Sequence, residues 1–188
     1  MNTIDTPAAS KPWDLYGPSD RRKFLAVLFA VSVSNYVDRN IISVLLEPIK
    51  NEFQVSDTLL GLLSGLAFAL FYATLGIPVA RWADRGDRKL VLSLSLSAWS
   101  VMTVLCGMAN SFWQLAAARF GVGAGEAGAI PPAQSLLADY YPPAERGRAI
   151  GVFMLSATVA YAIALVLGGW IAQNHGWRTA FVVVGLAG

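Results

Sequence analysis

Apolar residues run along this chain in long unbroken blocks. They occupy roughly 24–46, 59–80, 90–108, 112–137 and 149–172, and a last block opens at Trp177. A helix crossing about 30 Å of hydrocarbon needs about 20 residues. The first five blocks reach or nearly reach that length, and the sixth stops at Gly188 after about a dozen residues. The pattern predicts an all-α membrane protein: a six-helix bundle with its sixth helix truncated, the front part of a longer protein. Residues 22–188 are expected to form this transmembrane part. Residues 1–21 are polar, contain Pro7, Pro12 and Pro18, and read as a disordered tail rather than a signal peptide.

Polar punctuation sets the boundaries. The first helix is expected to start near Arg22 and to end before Glu47-Pro48. Ser56 or Asp57 is a plausible N-cap for the second. Asn110-Ser111 is all that separates the third block from the fourth, so those two must form an antiparallel hairpin. The fourth ends at the polar cluster 139–146, where Pro142 and Pro143 cannot continue a helix. Gly61 and Gly65, like Gly121 and Gly125, are four apart, a spacing that lets helix backbones approach closely.

Composition fits a membrane protein. Mean hydropathy is +0.52, and 14% of residues are charged, against about 25% in ordinary soluble domains. The net charge of +2 gives no reason to expect a nucleic-acid partner. Its distribution is more informative. Lys11, Arg21, Arg22, Lys23, Arg81, Arg85, Arg88, Lys89, Arg146 and Arg148 fall on alternate connections. Only Lys50 and Arg178 fall on the others. By the positive-inside rule the N-terminus is cytoplasmic.

Four charges break the apolar blocks: Asp38 and Arg39 in the first, Arg119 and Glu126 in the fourth. Each costs about 2.5–3.5 kcal/mol at bilayer depth on insertion scales, so four uncompensated ones would cost on the order of 10 kcal/mol. Ionisable groups kept there are functional candidates by default. Arg119 and Glu126 are seven residues apart, about two turns, and so project from one helix face. Asp38 and Arg39 are adjacent and point in different directions, so at least one can face the same cavity.

Other chemistry is thin. Gly123-Ala-Gly125-Glu-Ala-Gly128 matches a dinucleotide fingerprint, but it lies inside an apolar block with no strand before it, so close helix packing explains it better. Cys106 is the lone cysteine and reads as a buried hydrophobe; His175 is the lone histidine, in a polar turn. No metal-ligand spacing is visible and no cofactor is expected.

The loop Ala80-Arg-Trp-Ala-Asp84-Arg85-Gly86-Asp87-Arg88-Lys89 resembles the signature between helices two and three of the major facilitator superfamily, with Ala80 in place of its leading glycine and Gly86-Asp87 in place of x-Gly. Arg119-x-x-x-Gly123-x-Gly125 resembles the family's fourth-helix motif. Glu145-Arg-Gly-Arg148-Ala resembles its second cytoplasmic loop signature, and Gly176-Trp177-Arg178 with Phe181 the usual start of its sixth helix. The fifth block keeps Gly151, Gly168 and Gly169 of the antiporter motif but has Ala160, Ala164 and Leu165 at its other fixed positions. Within the superfamily, Asn35-Tyr36-Val-Asp38-Arg39 with Arg119 and Glu126 is similar to Spinster-type transporters, which carry lysophospholipids and sphingosine phosphate in animals.

The resemblance implies a proton-coupled transporter of alternating access. Its partners would be protons, a small amphiphilic or anionic molecule such as a lysolipid, membrane lipids, and a missing C-terminal half. Asp38 and Glu126 would exchange protons. Arg39 and Arg119 would be their charge partners and, with Tyr36, would hold substrate; Phe120 would line the same cavity. Asp84, Arg85, Arg88, Arg146 and Arg148 would form a conformational latch. Three alternatives stand beside this: transport of organic or sugar acids, a non-transporting receptor or regulator on the same fold, and an intramembrane enzyme using the Asp/Glu pair, for which no Ser–His or metal equipment exists.

Overall fold

The computed structural model describes residues 11–188, the side chains of residues 66–68, 71, 80, 83 and 84 excepted. Helix α1 (Pro18–Phe53) is followed by α2 (Asp57–Gly61), α3 (Ala67–Arg85), α4 (Arg88–Gly107), α5 (Phe112–Glu126), α6 (Ile130–Tyr140), α7 (Pro143–Ile163), α8 (Gly169–His175) and α9 (Trp177–Ala187). Wider i→i+5 turns at Leu62–Leu66 and Ala164–Gly168 join α2 to α3 and α7 to α8. The elements therefore pair into the six expected spans, with α2–α3 as the second, α5–α6 as the fourth and α7–α8 as the fifth. Among the described residues three helical runs are long and apolar enough to cross a membrane: Pro18–Phe53, Arg88–Gly107 and Pro143–His175.

Two boundaries differ from the sequence reading. Helix α1 begins at Pro18, with Gly17 as its N-cap, and runs through Pro48 to Phe53, where Gln54 turns left-handed at φ 52°. Proline removes one donor and crowds the preceding turn but does not end a helix held by its neighbours. At about 1.5 Å per residue, α1 is about 54 Å long and projects beyond a bilayer core of about 30 Å. Within the stretch expected to be a disordered tail, Pro12–Leu15 forms one 3₁₀ turn. Tyr16 stacks on Tyr140 at 3.9 Å, and Phe24 covers the other face of that ring at 3.7 Å. Residues 1–10 lie outside the described residues.

Ser56 caps the second span, one of the two residues expected there, and two further caps, outside that expectation, appear at Ser111 and Asp87. The Ser56 hydroxyl accepts from the Leu59 amide, and the Ser111 hydroxyl accepts from the Gln114 amide. Asp87 caps α4 through the Lys89 and Leu90 amides. Pro142 and Pro143 end the fourth span and open α7.

Glycine packing is uneven. A Cβ on Gly125 would lie 2.8 Å from the Trp99 amide nitrogen, and one on Gly121 2.7 Å from the Met102 sulfur, so α4 and α5 are in backbone contact. Gly185 of α9 lies equally close to the backbone of α4 at Val104 and Ser100. Gly61 and Gly65 meet nothing within 4 Å among the described residues. Their spacing is the same as that of Gly121 and Gly125, but among the described residues no helix packs within 4 Å of them. The Gly123–Gly128 string lies in and just beyond the end of α5, not in a phosphate loop.

The two glycine environments make a testable contrast. Gly125→Val should force α4 and α5 apart at a cost of about 1–3 kcal/mol, read as a fall of several degrees in the thermal midpoint of the purified protein. Gly151→Ala, at a position with open space, should leave that midpoint unchanged or raise it slightly.

Candidate functional site

The four intramembrane charges meet in the interior between α1 and α5. Asp38 Oδ1 accepts from Arg119 Nη1 at 2.9 Å, and both side chains are 2% exposed. The same Nη1 lies 3.4 Å from the Asp38 carbonyl oxygen. The Thr103 hydroxyl of α4 donates to Asp38 Oδ2 and also lies 2.9 Å from the Trp99 carbonyl. Three helices thus converge on one carboxylate.

The second pair is Arg39 with Glu126. Arg39 Nε and Nη2 each lie 3.1 Å from Glu126 Oε2. Glu126 is fully buried while the Arg39 side chain is 33% exposed. Glu126 Oε1 has no partner among the described residues. The Arg39 guanidinium sits 4.6 Å from the Tyr72 ring centroid and 6.0 Å from that of Tyr36, within cation–π range of both. Helical side chains lean toward the helix N-terminus. Arg39 can therefore reach a carboxylate two turns along α5 from the arginine that its neighbour Asp38 engages.

The candidate residues fall into two groups. Asp38, Arg39, Arg119, Glu126 and Tyr36 come together, with Phe120 half-buried beside the core. The latch candidates lie at the face carrying the N-terminus. Arg88 pairs with Asp139 at 2.6 Å. Arg146 Nη2 donates to the carbonyls of Ala138 and Tyr141, capping α6. Arg85 is exposed and Arg148 lines a surface cavity. The Asp84 side chain lies outside the described residues.

Sequence reasoning missed Thr103 and Tyr72, and named Asn35 only as part of a motif, with no role of its own. Asn35 is 1% exposed, one turn from Asp38, and neither of its side-chain polar atoms has a partner among the described residues. A lone threonine or asparagine in an apolar block is the available signal, and it is weak beside a charge. Cys106 is buried, as expected.

A helical bundle with paired charges in its dry centre and apolar blocks around it has the build of a polytopic membrane protein. Residues 28–188 match the family model described as Major Facilitator Superfamily, and the chain belongs to that superfamily. It is 42% identical over 182 residues to an MFS-type efflux pump of Mycolicibacterium smegmatis, covering 97% of this chain and 42% of that protein. It is 32% identical over 161 residues to the cis,cis-muconate transport protein of Acinetobacter baylyi, covering 85% and 38%. The solved structure of a bacterial homolog to the human lysosomal transporter Spinster, inward-facing and unoccupied, superposes with a TM-score of 0.84 at 41% identity, covering 90% of this chain and 41% of that one. The chain spans about two fifths of the length of these relatives. They are transporters, so the intramembrane-enzyme alternative falls.

The buried pair sets a stability test. Arg119→Gln strands Asp38 and should cost about 3–5 kcal/mol. Asp38→Asn with Arg119→Gln removes both charges and should recover a large part of that loss. Denaturation of the purified variants in one detergent measures both.

Proposed function

We propose that this chain is the N-terminal half of a proton-coupled secondary transporter that works by alternating access and moves an amphiphilic or anionic small molecule. The observation that carries the reading is the arrangement of Asp38–Arg119 and Arg39–Glu126 across α1 and α5. Two carboxylates and two guanidiniums in a dry interior form a site whose charge state depends on which partner each acid holds.

Protonation of Glu126 would remove the negative charge opposite Arg39. The freed guanidinium could then hold a carboxylate or phosphate of the cargo in two-pronged fashion. Tyr36 and Tyr72 would supply aromatic faces around it. Asp38 would serve as the deeper acid, held by Arg119 and the Thr103 hydroxyl. Substrate in this class of fold binds near the midplane between two repeats that rock against each other, so the second half would complete the cavity. On this reading the face bearing Arg21, Arg22, Arg88, Arg146 and Arg148 is cytoplasmic, by the positive-inside rule, and Arg88–Asp139 belongs to the latch on that side.

A second reading of the cargo is an organic acid. It is favoured by the exposed third of Arg39 and by similarity to a muconate transport protein.

The test is proton-driven flux in proteoliposomes of the full-length protein, with a lysolipid and an organic acid as cargoes. Glu126→Gln should abolish the response to a pH gradient while leaving gradient-independent exchange. Asp38→Asn should reduce both by at least about tenfold, as expected where an ionised partner of Arg119 is lost (~1.4 kcal/mol or more). Full proton-driven flux in both variants would overturn the proton role.

A further inference from the structure

The face carrying the N-terminus holds a groove that lies apart from the buried charge cluster and has Arg148, one of the latch candidates, in its lining. It runs between the first turns of α1 and α7, which point the same way. A cavity of about 340 Å³ there is lined by Arg22 and Leu25 of α1 and by Arg148, Ala149 and Val152 of α7, with Tyr141 and Glu145 at its edge. A second cavity shares Arg22, Leu25 and Val152 and adds Ala26 and Phe29. The two form one trough with a basic mouth and an apolar floor.

The charges at the mouth are available. Among the described residues Arg22 Nε donates to the Pro18 carbonyl of its own helix, at 3.3 Å. The carboxylate at the edge, Glu145, is taken by Arg21 at 3.4 Å, and the Tyr141 hydroxyl donates to the Arg21 carbonyl. Among the described residues no carboxylate pairs with Arg22 or Arg148.

The depth of the groove fits an amphiphile. Phe29 lies seven residues beyond Arg22, about 10 Å along the axis, and Val152 lies one turn, about 6 Å, beyond Arg148. Both arginines sit where the charged stretch of their helix gives way to its apolar block, the level at which lipid head groups lie. Guanidinium forks match phosphate oxygens, and the trough below can take an acyl chain.

We propose that this groove binds an anionic phospholipid, with Arg22 and Arg148 holding the phosphate and Leu25, Ala26, Phe29 and Val152 receiving the first part of a tail. The site is separate from the buried charge cluster and does not depend on proton coupling or on the nature of the cargo.

Native mass spectrometry of the full-length protein with phosphatidylglycerol or phosphatidylcholine tests it. Phosphatidylglycerol should be retained preferentially, and retention should fall about fivefold for each arginine removed in Arg22→Gln and Arg148→Gln. Ala26→Trp, which fills the floor and keeps both arginines, should also lower retention. A photo-reactive residue at position 152 should label phosphatidylglycerol. Equal retention of the two lipids, or unchanged retention in the arginine variants and in Ala26→Trp, would overturn the proposal. So would displacement of the lipid by free glycerol phosphate, which would mark a site for the head group alone. Labelling of the protein's own remaining chain from position 152 would show an interhelical interface instead.

Discussion

The ion pair between Asp38 and Arg119 constrains everything else in this half-bundle. Both side chains are sealed from solvent, and a lone charge at that depth is costly enough that neither residue can be there without the other. The pair fixes the register of α1 against α5. Thr103 brings α4 into the same contact, and the tight passage of α4 past α5 at Gly121 and Gly125 places that hydroxyl beside the carboxylate. The close-packed glycines and the buried charges are two expressions of one geometry. A larger residue at Gly125 would lift α4 away and leave Asp38 with one donor fewer.

Both ends of the bundle are stapled around this centre. At the face away from the N-terminus, Glu52 of α1 accepts from Trp177 Nε1 and Arg178 Nη1 at the start of α9, both at 2.7 Å. Arg178 Nη2 donates to the Ala109 carbonyl just after α4, and its guanidinium lies 4.2 Å from the Trp177 ring centroid. At the other face Tyr140 is held between Tyr16 and Phe24, and its hydroxyl meets Lys89 Nζ at 3.3 Å. Each staple ties α1 to helices distant in sequence. A body pinned at both ends and in the middle is suited to move as a unit, as the proposed rocking mechanism would require of each half.

Much of this was legible in the sequence because membrane burial makes the signals coarse. Six apolar blocks predicted the six spans, and four charges stood out against them. The pairing was not legible. Asp38 and Arg39 are neighbours about 100° apart on a helix, and nothing local says which meets Arg119 and which meets Glu126. Pro48 reads as a terminator by the local rule, yet α1 continues because packing supplies what the missing hydrogen bond does not. Gly61 and Gly65 carry the same spacing as Gly121 and Gly125, but spacing describes only one helix, and close packing needs a second. Glu52 gave no sign of its role because its partners are more than 120 residues away.

The two ion pairs resemble each other in composition and differ in access, and that difference argues for a division of labour. Asp38–Arg119 is closed on both sides and has an extra hydroxyl donor, so opening it would strand charge in a dry site. Arg39–Glu126 is closed only on the carboxylate side: a third of the arginine side chain is exposed, between two tyrosine rings. On the proposed reading, a cargo anion would meet the exposed part of Arg39 without disturbing the sealed Arg119. It would compete with Glu126 for one guanidinium, and a proton on Glu126 would decide that competition in the cargo's favour. On the proposed reading, proton and cargo would be coupled through one shared partner, with no need for a relay across the bundle. The deeper pair would keep α1 and α5 in register while the shallower one was exchanged.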